Sequence, residues 1–502
     1  MNQRPQAPLS DLLGVVDPLE VRVPADPLIR RIASDSRDVE PGALYVAIPG
    51  SRTDGHRYIA EAVRNGARAV VCERPPCPAP EVPVVRVADS RRAVSALADR
   101  FYGSPSRYLR VAGVTGTDGK TSTTELLRAV LNEAGRTAGS IGTLGNYYDG
   151  RRVDTPLTTP DPVSLHGTFQ RMRRVGLSDA CMEVSSHSLV QHRVADVDFD
   201  VAVLTNITHD HLDLHGTLEN YVSAKRRLFE QLAHDSVAVL PADSRYCRDF
   251  QAATPAEVLT YGMDSLCDVK GTITSMAMDG MEIAVRTPFE SYCVRTGLIG
   301  AFNCLNILAA ATAAFAYGIG GEVVKEAMRG FQGVPGRLER VSVPGRQDVP
   351  GLCVDFAHTP EALQKVLGTL GPLVPGRLVC VVGCGGDRDR RKRPLMGRIA
   401  ATLADCAVFT ADNSRSERTT DILAQMMEGV PSEAGNVLVR PDRRAAIKLA
   451  LELAETPDAM VAVCGRGCEK YLKTGDEKIP FDDRVVAREL MNRMVARRRK
   501  SA

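Results

Sequence analysis

The chain alternates short apolar runs with longer segments of helical periodicity. Strand-length apolar runs occupy 43–47, 69–71, 108–114, 180–184, 199–204, 353–356, 378–382, 407–410 and 460–464. Helical patterns cover 58–65, 121–135 and an uncharged, alanine-rich stretch at 307–320, which is too short to span a bilayer and predicts a buried helix. Strands that alternate with helices predict parallel sheets, whose ligands bind at the carboxyl ends of the strands. The predicted fold class is therefore α/β.

The length of 502 residues predicts about three domains, which we place at 1–105, 106–335 and 336–502. A composition of 44% hydrophobic and 25% charged residues is typical of globular proteins. The formal net charge of +2 gives no electrostatic reason to expect a nucleic-acid partner. No signal-type or membrane-spanning segment is predicted, so membrane insertion is not expected. The 13 scattered cysteines indicate reduced thiols, and we expect a cytoplasmic location.

The residues 113–121, GVTGTDGKT, follow a predicted strand and begin a predicted helix. Backbone N–H groups of such a loop converge on phosphate oxygens, and the helix N-terminus favours negative charge. Lys120 would reach the terminal phosphates and Thr121 would ligate Mg²⁺. Val114 stands where the strict motif has its first glycine, so the loop is a variant. The pattern favours ATP or GTP binding over a simple glycine turn.

Three further segments carry acidic, basic and histidine side chains. They contain Glu183 at a strand tip, the histidines His209, His211 and His215, and Lys225 on a predicted helix. The three histidines raise the hypothesis of a zinc site. A site for nucleotide phosphates instead requires hard oxygen ligands around Mg²⁺, and Glu183 supplies one.

The phosphate loop, Glu183 and the segment 210–213 together resemble the Mur ligase superfamily, and the order of motifs extends the resemblance over nearly the whole chain. The motifs similar to its UDP-N-acetylmuramoyl-tripeptide synthetase branch are 35–37, 54–55, 185–187, 191–194, 383–389 and 481–484. The resemblance implies a small mixed α/β uridine-binding domain, a central P-loop parallel-sheet ATPase domain and a C-terminal Rossmann-like α/β domain.

The activity that the resemblance implies is ATP-dependent amide-bond formation through an acyl phosphate. The enzyme would add an amino acid, with meso-diaminopimelate favoured, to UDP-N-acetylmuramoyl-L-alanyl-D-glutamate in cytoplasmic peptidoglycan precursor synthesis. Its partners would be these small molecules, and a monomer is expected.

The resemblance also implies roles for individual residues. The catalytic residues would be Lys120, Glu183, His211 and Lys225, and the Mg²⁺ ligands would be Thr121, Glu183, His211 and Lys225. Lys225 would act as a carbamate, because a bare ammonium repels Mg²⁺ whereas a carbamate offers an anionic oxygen. The ATP site would comprise Gly116, Thr117, Asp118, Gly119, Lys120, Thr121, Ser122, Asn303, Asn306, Arg337 and Asp355.

Two sets of residues match the substrate positions of that branch. In the nucleotide-sugar set, the matches to uridine-diphosphate contacts are Ser34, Ser36, Ser51, Arg52 and Thr53. The matches to positions that hold the muramoyl-dipeptide are Thr158, Thr159, Ser185, Gln191 and Arg193. The amino-acid set is Arg388, Asp412, Asn413, Ser414, Arg415, Gly465 and Glu469. Ser414 replaces the proline of the branch, and Cys468 replaces its histidine. A bidentate contact of Arg415 with a carboxylate favours a diacid amino acid over lysine.

Other hypotheses remain open at this point. The added amino acid could be L-lysine or another one, and the acceptor could lie outside peptidoglycan, as in folylpolyglutamate synthetases. A catalytically silent nucleotide-binding protein is a third hypothesis. The glycines of 383–386 weakly suggest a dehydrogenase, but the full dinucleotide motif is lacking. Cys380, Cys384, Cys464 and Cys468 suggest a zinc site, although their spacing favours ordinary core thiols.

Overall fold

The fold is taken from a computed structural model that describes residues 5–22, 25–50, 53–208, 210, 212–264, 266–344 and 348–501. Ser51, Arg52, His209 and His211 lie outside the described residues. The strands are β1 (Ala7–Pro8), β2 (Glu20–Arg22), β3 (Leu28–Ile29), β4 (Arg31–Ala33), β5 (Ala43–Val46), β6 (Ala67–Cys72), β7 (Val84–Arg86), β8 (Arg110–Thr115), β9 (Ala138–Ile141), β10 (Asn146–Tyr148), β11 (Arg151–Val153), β12 (Asp179–Glu183), β13 (Val201–Leu204), β14 (Val237–Pro241), β15 (Glu257–Gly262), β16 (Val269–Ala277), β17 (Gly280–Arg286), β18 (Ser291–Thr296), β19 (Glu339–Arg340), β20 (Gly351–Asp355), β21 (Leu378–Val382), β22 (Cys406–Phe409), β23 (Val437–Val439), β24 (Met460–Cys464), β25 (Tyr471–Thr474) and β26 (Glu477–Pro480).

Helices connect most of these strands. They are α1 (Leu9–Leu13), α2 (Ile59–Arg64), α3 (Ser90–Phe101), α4 (Lys120–Glu133), α5 (Pro162–Arg174), α6 (Ser186–Val190), α7 (Leu212–His215), α8 (Leu218–Glu230), α9 (Cys247–Ala253), α10 (Ala301–Ala316), α11 (Gly321–Gly330), α12 (Pro360–Leu370), α13 (Lys392–Leu403), α14 (Thr419–Met427), α15 (Arg443–Ala454) and α16 (Asp483–Ser501). Each of the predicted strands and helices is confirmed. The apolar stretch at 307–320 forms most of α10, which ends before Gly318, a residue with a left-handed φ of 73°.

The N-terminal part of the chain forms a five-stranded sheet in the order β2-β7-β6-β5-β4. The strands β4 to β7 are parallel, and β2 is antiparallel to β7. The two faces bury separate apolar clusters, one of which includes Leu97 and Phe101 of α3. The expected small mixed α/β domain is therefore present.

The middle part builds an eleven-stranded sheet in the order β11-β10-β9-β12-β8-β13-β14-β15-β16-β17-β18. Its seven strands from β9 to β16 in this order are parallel, whereas both edges are antiparallel. Helices α4 and α10 cover one face, and α5 and α8 cover the other. Both faces of the parallel core are thus buried, which explains why its central strands β12, β8, β13 and β14 are largely apolar.

The last part forms a six-stranded sheet in the order β19-β20-β24-β21-β22-β23, parallel except for β19. Helices α12, α13 and α14 pack on one face, and α15 and α16 pack on the other. The expected Rossmann-like α/β fold is confirmed. No helix among the described residues is long and apolar enough to cross a membrane.

Strand order determines where ligands can bind. In the middle sheet the chain leaves the central strand β8 for β9, and later β12 and β13 pair on its two sides. In the last sheet β24 is inserted between β20 and β21. Each arrangement is a switch point at which neighbouring connections diverge and leave a crevice at the carboxyl ends of the strands. The strand ends that carry candidate site residues, such as Glu183 and Asp355, lie at these two crevices.

Candidate functional site

The phosphate loop joins the end of β8 to the start of α4. Gly116 and Gly119 have positive φ values of 147° and 84°, which side chains with a Cβ rarely adopt. The loop rests on the tip of β13, where Asn206 accepts from the Asp118 N–H (3.0 Å) and donates to the Asp118 carbonyl (3.0 Å). Lys120 Nζ donates to the carbonyls of Gly116 (2.9 Å) and Thr117 (2.8 Å). The loop is thereby held open at the amino end of a helix of 14 residues, where anions are favoured.

Glu183, at the tip of β12, faces the start of α4. Its side chain is buried, and it accepts hydrogen bonds from Thr121 Oγ1 (3.0 Å), Thr143 N (2.7 Å) and Thr143 Oγ1 (3.2 Å). Burial raises the pKa of Glu183, and the nearby Lys120 ammonium opposes this shift. Burial likewise lowers the pKa of Lys120, opposed first by Glu183. These two charges, a hydroxyl and a helix N-terminus thus meet in one buried region.

Lys225, on α8, extends beneath the same loop. Its side chain is buried, its Nζ donates to the Gly116 carbonyl (2.7 Å), and the Nζ lies 4.5 Å from the centre of the Tyr221 ring. Burial lowers the pKa of Lys225 well below its usual value, and the positive charge of Lys120 adds to this shift. No carboxylate in the described part of the chain forms an ion pair with Lys225. A buried lysine without such a partner is costly as an ammonium and favours the neutral amine.

A cavity of about 330 Å³ opens between the phosphate loop and the start of the last sheet. Asn303, Asn306, Arg337 and Asp355 all line it, together with Asp118, Gly119 and Ser122 from the loop. Arg337 Nη2 lies 3.3 Å from Thr121 Oγ1, and its guanidinium stacks on the Phe356 ring. The described residues expected to surround ATP therefore meet at the junction of two sheets.

The Asp355 carboxylate holds this junction together. It accepts from the N–H groups of Leu338 (2.7 Å) and Ala357 (2.7 Å), so it fixes the segment that carries Arg337. Burial raises the pKa of Asp355, and Arg337 opposes the shift. The segment that enters the last sheet is thus positioned by the carboxyl group at the end of β20.

The predicted residues of the muramoyl-dipeptide site form one hydrogen-bonded cluster. Arg193 donates to the Thr159 carbonyl (2.8 Å) and to Gln191 Oε1 (2.7 Å). Thr159 Oγ1 donates to the Glu183 carbonyl (2.8 Å) and accepts from Ser185 N (3.0 Å). Thr158 Oγ1 lies 3.1 Å from Thr143 Oγ1. This cluster is continuous with Glu183.

The predicted uridine residues lie on the N-terminal sheet. Ser34 and Ser36 follow β4, and Thr53 is in the loop after β5. Because β4 and β5 are parallel neighbours, these residues share one edge of the sheet. Ser51 and Arg52, assigned to the same site, are outside the described residues.

A second cavity, of about 270 Å³, lies at the carboxyl ends of β21, β22 and β24. Its lining includes Arg388, Asp412, Asn413, Arg415, Gly465 and Glu469. Asn413 Nδ2 donates to Glu469 Oε2 (2.7 Å), and Arg415 Nη1 donates to the Gly386 carbonyl (2.6 Å). Burial and then Arg388 lower the pKa of Arg415, whereas burial and then Asp412 raise the pKa of Glu469. Ser414 is buried beside this cavity without lining it.

The donor set fits a magnesium nucleotide better than zinc. Thr121 and Glu183 offer hard oxygen atoms beside a phosphate loop, which suits Mg²⁺. Among the described residues, no group of three or more His, Cys, Asp or Glu could hold a metal ion. His215 instead lies 3.0 Å from Ser186 Oγ, and Cys380 and Cys464 are buried thiols that contact each other. The zinc hypothesis based on the four cysteines is therefore not supported.

Three residues of the site were not predicted. Thr143 contacts Glu183 from a turn after β9, and Asn206 holds the phosphate loop. His358 lines both cavities, and its Nδ1 lies 3.2 Å from the Phe356 carbonyl. Asn206 stands at the end of an apolar run, and that position could have suggested its role. No such signal marked Thr143.

Family models match all three parts of the chain. Residues 28–102 match the model described as Mur ligase family, catalytic domain, and residues 114–314 match the Mur ligase middle domain. Residues 336–467 match the Mur ligase, glutamate ligase domain. The chain belongs to the Mur ligase family.

Two similar Mur ligases carry the name UDP-N-acetylmuramoyl-L-alanyl-D-glutamate–2,6-diaminopimelate ligase. The one from Halalkalibacterium halodurans is 43% identical over 468 residues, which cover 92% of this chain and 94% of the relative. The one from Geobacillus thermodenitrificans is 42% identical over 486 residues, covering 96% and 98%. A solved structure of a ligase with that name superposes with a TM-score of 0.66 at 30% identity, covering 93% of this chain and 95% of the other.

Proposed function

We propose that this Mur ligase uses ATP to join meso-diaminopimelate to UDP-N-acetylmuramoyl-L-alanyl-D-glutamate through an acyl phosphate. Family membership and the names of relatives that are 41–43% identical support this reaction. A carboxylate becomes reactive towards an amine only when its oxygen is made a leaving group, and phosphorylation achieves this. The phosphate loop beside Glu183 is where such a step would take place.

The charged side chains that line the second cavity favour diaminopimelate as the amino acid. Three cationic side chains line it together with four carboxylates: they are Arg388, Lys392 and Arg415, and Asp210, Asp389, Asp412 and Glu469. The distal end of diaminopimelate bears both a carboxylate and an ammonium, so it complements this mixture of charges. Lysine has only an ammonium at its distal end and would leave the arginines without an anionic partner. Ser414 lies behind the lining, so its difference from proline leaves these groups in place.

Each residue set has a distinct task in this reaction. Lys120 and the loop 116–119 hold the phosphates, while Asn303, Asn306, Arg337 and Asp355 form the remainder of the nucleotide site. Thr158, Thr159, Ser185, Gln191 and Arg193 hold the muramoyl-dipeptide next to Glu183. Ser34, Ser36, Ser51, Arg52 and Thr53 hold the uridine diphosphate. The reacting carboxylate would then meet the phosphate between two protein domains, where water is excluded.

Magnesium would be held by Thr121, Glu183, His211 and a carbamate on Lys225. It would neutralise phosphate charge during transfer. The burial of Lys225 Nζ, which has no ion-pair partner among the described residues, supports the carbamate. The neutral amine adds to the carbon of CO₂ and releases one proton, so the neutral side chain becomes an anionic carbamate that offers an oxygen ligand. Labelling with ¹³C-bicarbonate tests this: a carbamate signal is expected, and its presence in Lys225→Ala would contradict the assignment.

The domain division proposed is 1–105, 106–335 and 336–502, and we expect a monomer. All 13 cysteines are free thiols, which supports a reducing compartment such as the cytoplasm. Limited proteolysis and sedimentation test these two proposals. Cleavage confined to 103–109 and 331–338 and a mass of one chain are expected.

The decisive experiment measures phosphate release with ATP, Mg²⁺ and UDP-N-acetylmuramoyl-L-alanyl-D-glutamate while the amino acid is varied. Meso-diaminopimelate, lysine and ornithine are compared, and the product mass is determined. Turnover that depends on diaminopimelate is expected. Turnover with lysine alone would refute the argument from the charges of the second cavity. An absence of turnover with every amino acid would refute the proposed acceptor, UDP-N-acetylmuramoyl-L-alanyl-D-glutamate.

A further inference from the structure

A third cavity, of about 660 Å³, lies between the N-terminal sheet and the middle sheet. One wall comes from the start of β4 and the end of α3, and the other comes from α5 and the β10–β11 hairpin. None of the described residues assigned above to ATP, magnesium, the nucleotide sugar or the amino acid lines it. Ser34 and Ser36 of the predicted uridine site follow β4, whereas this cavity adjoins the opposite end of that strand. It is therefore separate from the ligase site.

Positive charge dominates the lining of this cavity. Arg30 and Arg31 lie on the N-terminal side, and Arg171 and Arg174 lie on α5. Glu40 is the single carboxylate among the described residues that line the cavity. Arg31 pairs with Glu40 (2.7 Å), so that carboxylate is already engaged. The Arg30 guanidinium has no hydrogen-bond or ion-pair partner among the described residues. Two domains thus present guanidinium groups to one cavity, with little negative charge to balance them.

The polar and aromatic groups around these arginines are also suited to a ligand. Arg171 Nη1 lies 3.4 Å from the Tyr148 hydroxyl. Tyr102 also lines the cavity. Burial raises the pKa of its phenol, and the positive charges of Arg171 and Arg31, on opposite walls, oppose this shift. Asn146 is also a lining residue; it is 95% buried, and its Oδ1 has no hydrogen-bond partner among the described residues. A buried amide oxygen without a partner is costly unless a donor satisfies it, which here would be water or a hydroxyl or amine of the ligand rather than its phosphate oxygens.

We propose that this cavity, which we call the arginine cleft, is a second anion site that binds a small molecule bearing two or more linked phosphates. Its volume is within the range of small-molecule sites. Guanidinium groups bind phosphate oxygens through paired, charge-assisted hydrogen bonds, and several of them are needed to compete with water. Because its walls belong to different domains, a bound polyphosphate links the N-terminal and middle domains. The proposal does not depend on the identity of the ligase substrates.

Calorimetric titration of the full chain with inorganic tripolyphosphate tests the arginine cleft. The titration uses the Lys120→Ala background, which weakens binding of the probe at the phosphate loop, and buffer without Mg²⁺, which would chelate the probe. Binding is expected in this background. Adding Arg30→Ala and Arg171→Ala should weaken it about tenfold or more, as expected for lost charge-assisted hydrogen bonds. Arg173→Ala is the matched control, because Arg173 is on the same helix but stacks on Tyr108 outside the cleft.

The outcomes separate the proposal from its alternatives. Absence of binding in the Lys120→Ala background, or equal binding after the Arg30 and Arg171 changes, would overturn it. Equal affinity for inorganic phosphate and tripolyphosphate would overturn the requirement for linked phosphates. If the double change lowers the thermal unfolding midpoint, the single Arg30→Ala variant decides, because this guanidinium has no hydrogen-bond or ion-pair partner in the described part of the chain. The phosphate-release assay is run in parallel without the Lys120 change, and Arg30→Ala should leave turnover unchanged.

Discussion

Replacing Thr143 by valine preserves the size of a side chain that contacts Glu183 but removes its hydroxyl. Glu183 is 2% exposed and accepts three hydrogen bonds, from Thr121 Oγ1 (3.0 Å), Thr143 N (2.7 Å) and Thr143 Oγ1 (3.2 Å). The valine variant retains the backbone bond and loses the hydroxyl bond. It also breaks the connection to Thr158, whose hydroxyl lies 3.1 Å from Thr143 Oγ1. The carboxylate would then rotate more freely.

The size of the effect follows from the strength of the lost bond. A hydrogen bond to a charged group contributes about 1.5–3 kcal/mol. The hydrogen bond from the Thr143 hydroxyl is long, at 3.2 Å, so the lower value of this range applies. This free energy corresponds to about a tenfold change in a binding constant. Since Glu183 is a proposed magnesium ligand, the Mg²⁺ concentration for half-maximal turnover should rise about tenfold. The KM for the amino acid should stay the same, because its cavity does not include Thr143.

Phosphate release measured across a series of Mg²⁺ concentrations tests this expectation. Thr143→Ser is the matched control, since it keeps a hydroxyl at the same position and should behave like the unchanged chain. Thermal unfolding checks that both variants are folded. An unchanged Mg²⁺ requirement in Thr143→Val, or equal damage in Thr143→Ser, would refute the positioning argument.

Four further outcomes are expected. Lys120→Ala should abolish ATP turnover because phosphate charge is no longer neutralised; normal phosphate release would exclude that role. Lys225→Ala should lose activity that added formate or acetate partly restores by supplying a carboxylate oxygen, and an unaffected rate would remove the carbamate from the mechanism. Arg415→Ala should raise the KM for the amino acid about tenfold and leave that for ATP nearly unchanged, whereas equal effects on both would contradict selective binding. Arg443→Met should cost about 3 kcal/mol in urea unfolding, because it removes both close hydrogen bonds to the buried Asp483 and leaves only the longer Arg466 contact (3.8 Å); the exposed Arg444→Met is the control.

Local sequence accounts for much of the phosphate site. The apolar strand β8, the glycines with positive φ and the helix that begins at Lys120 are consecutive in the chain. Their conformations depend mainly on neighbouring residues, so the motif could be recognised without tertiary information. The same holds for the strand tips at Glu183 and Asp355, which end continuous apolar runs.

Other parts of the site depend on residues far apart in sequence. Thr143 reaches Glu183 only because β9 and β12 pair side by side. Lys225 meets the Gly116 carbonyl across 109 positions, and Arg337 meets Thr121 across 216. The hydrophobic periodicity of the sequence does not indicate such contacts, since they arise from strand order and from the packing of one sheet against the next. The arginine cleft likewise exists only where two domains meet.

By itself, the sequence determined the α/β class, the phosphate loop and the family resemblance, because periodicity, turn residues and short motifs are local properties. Only the tertiary structure decided which side chains share a cavity and which charges lose contact with water. The opposed charges of Arg415 and Glu469 come from separate loops after β22 and β24. Their effect on a substrate depends on distance and burial, and both of these are consequences of long-range packing.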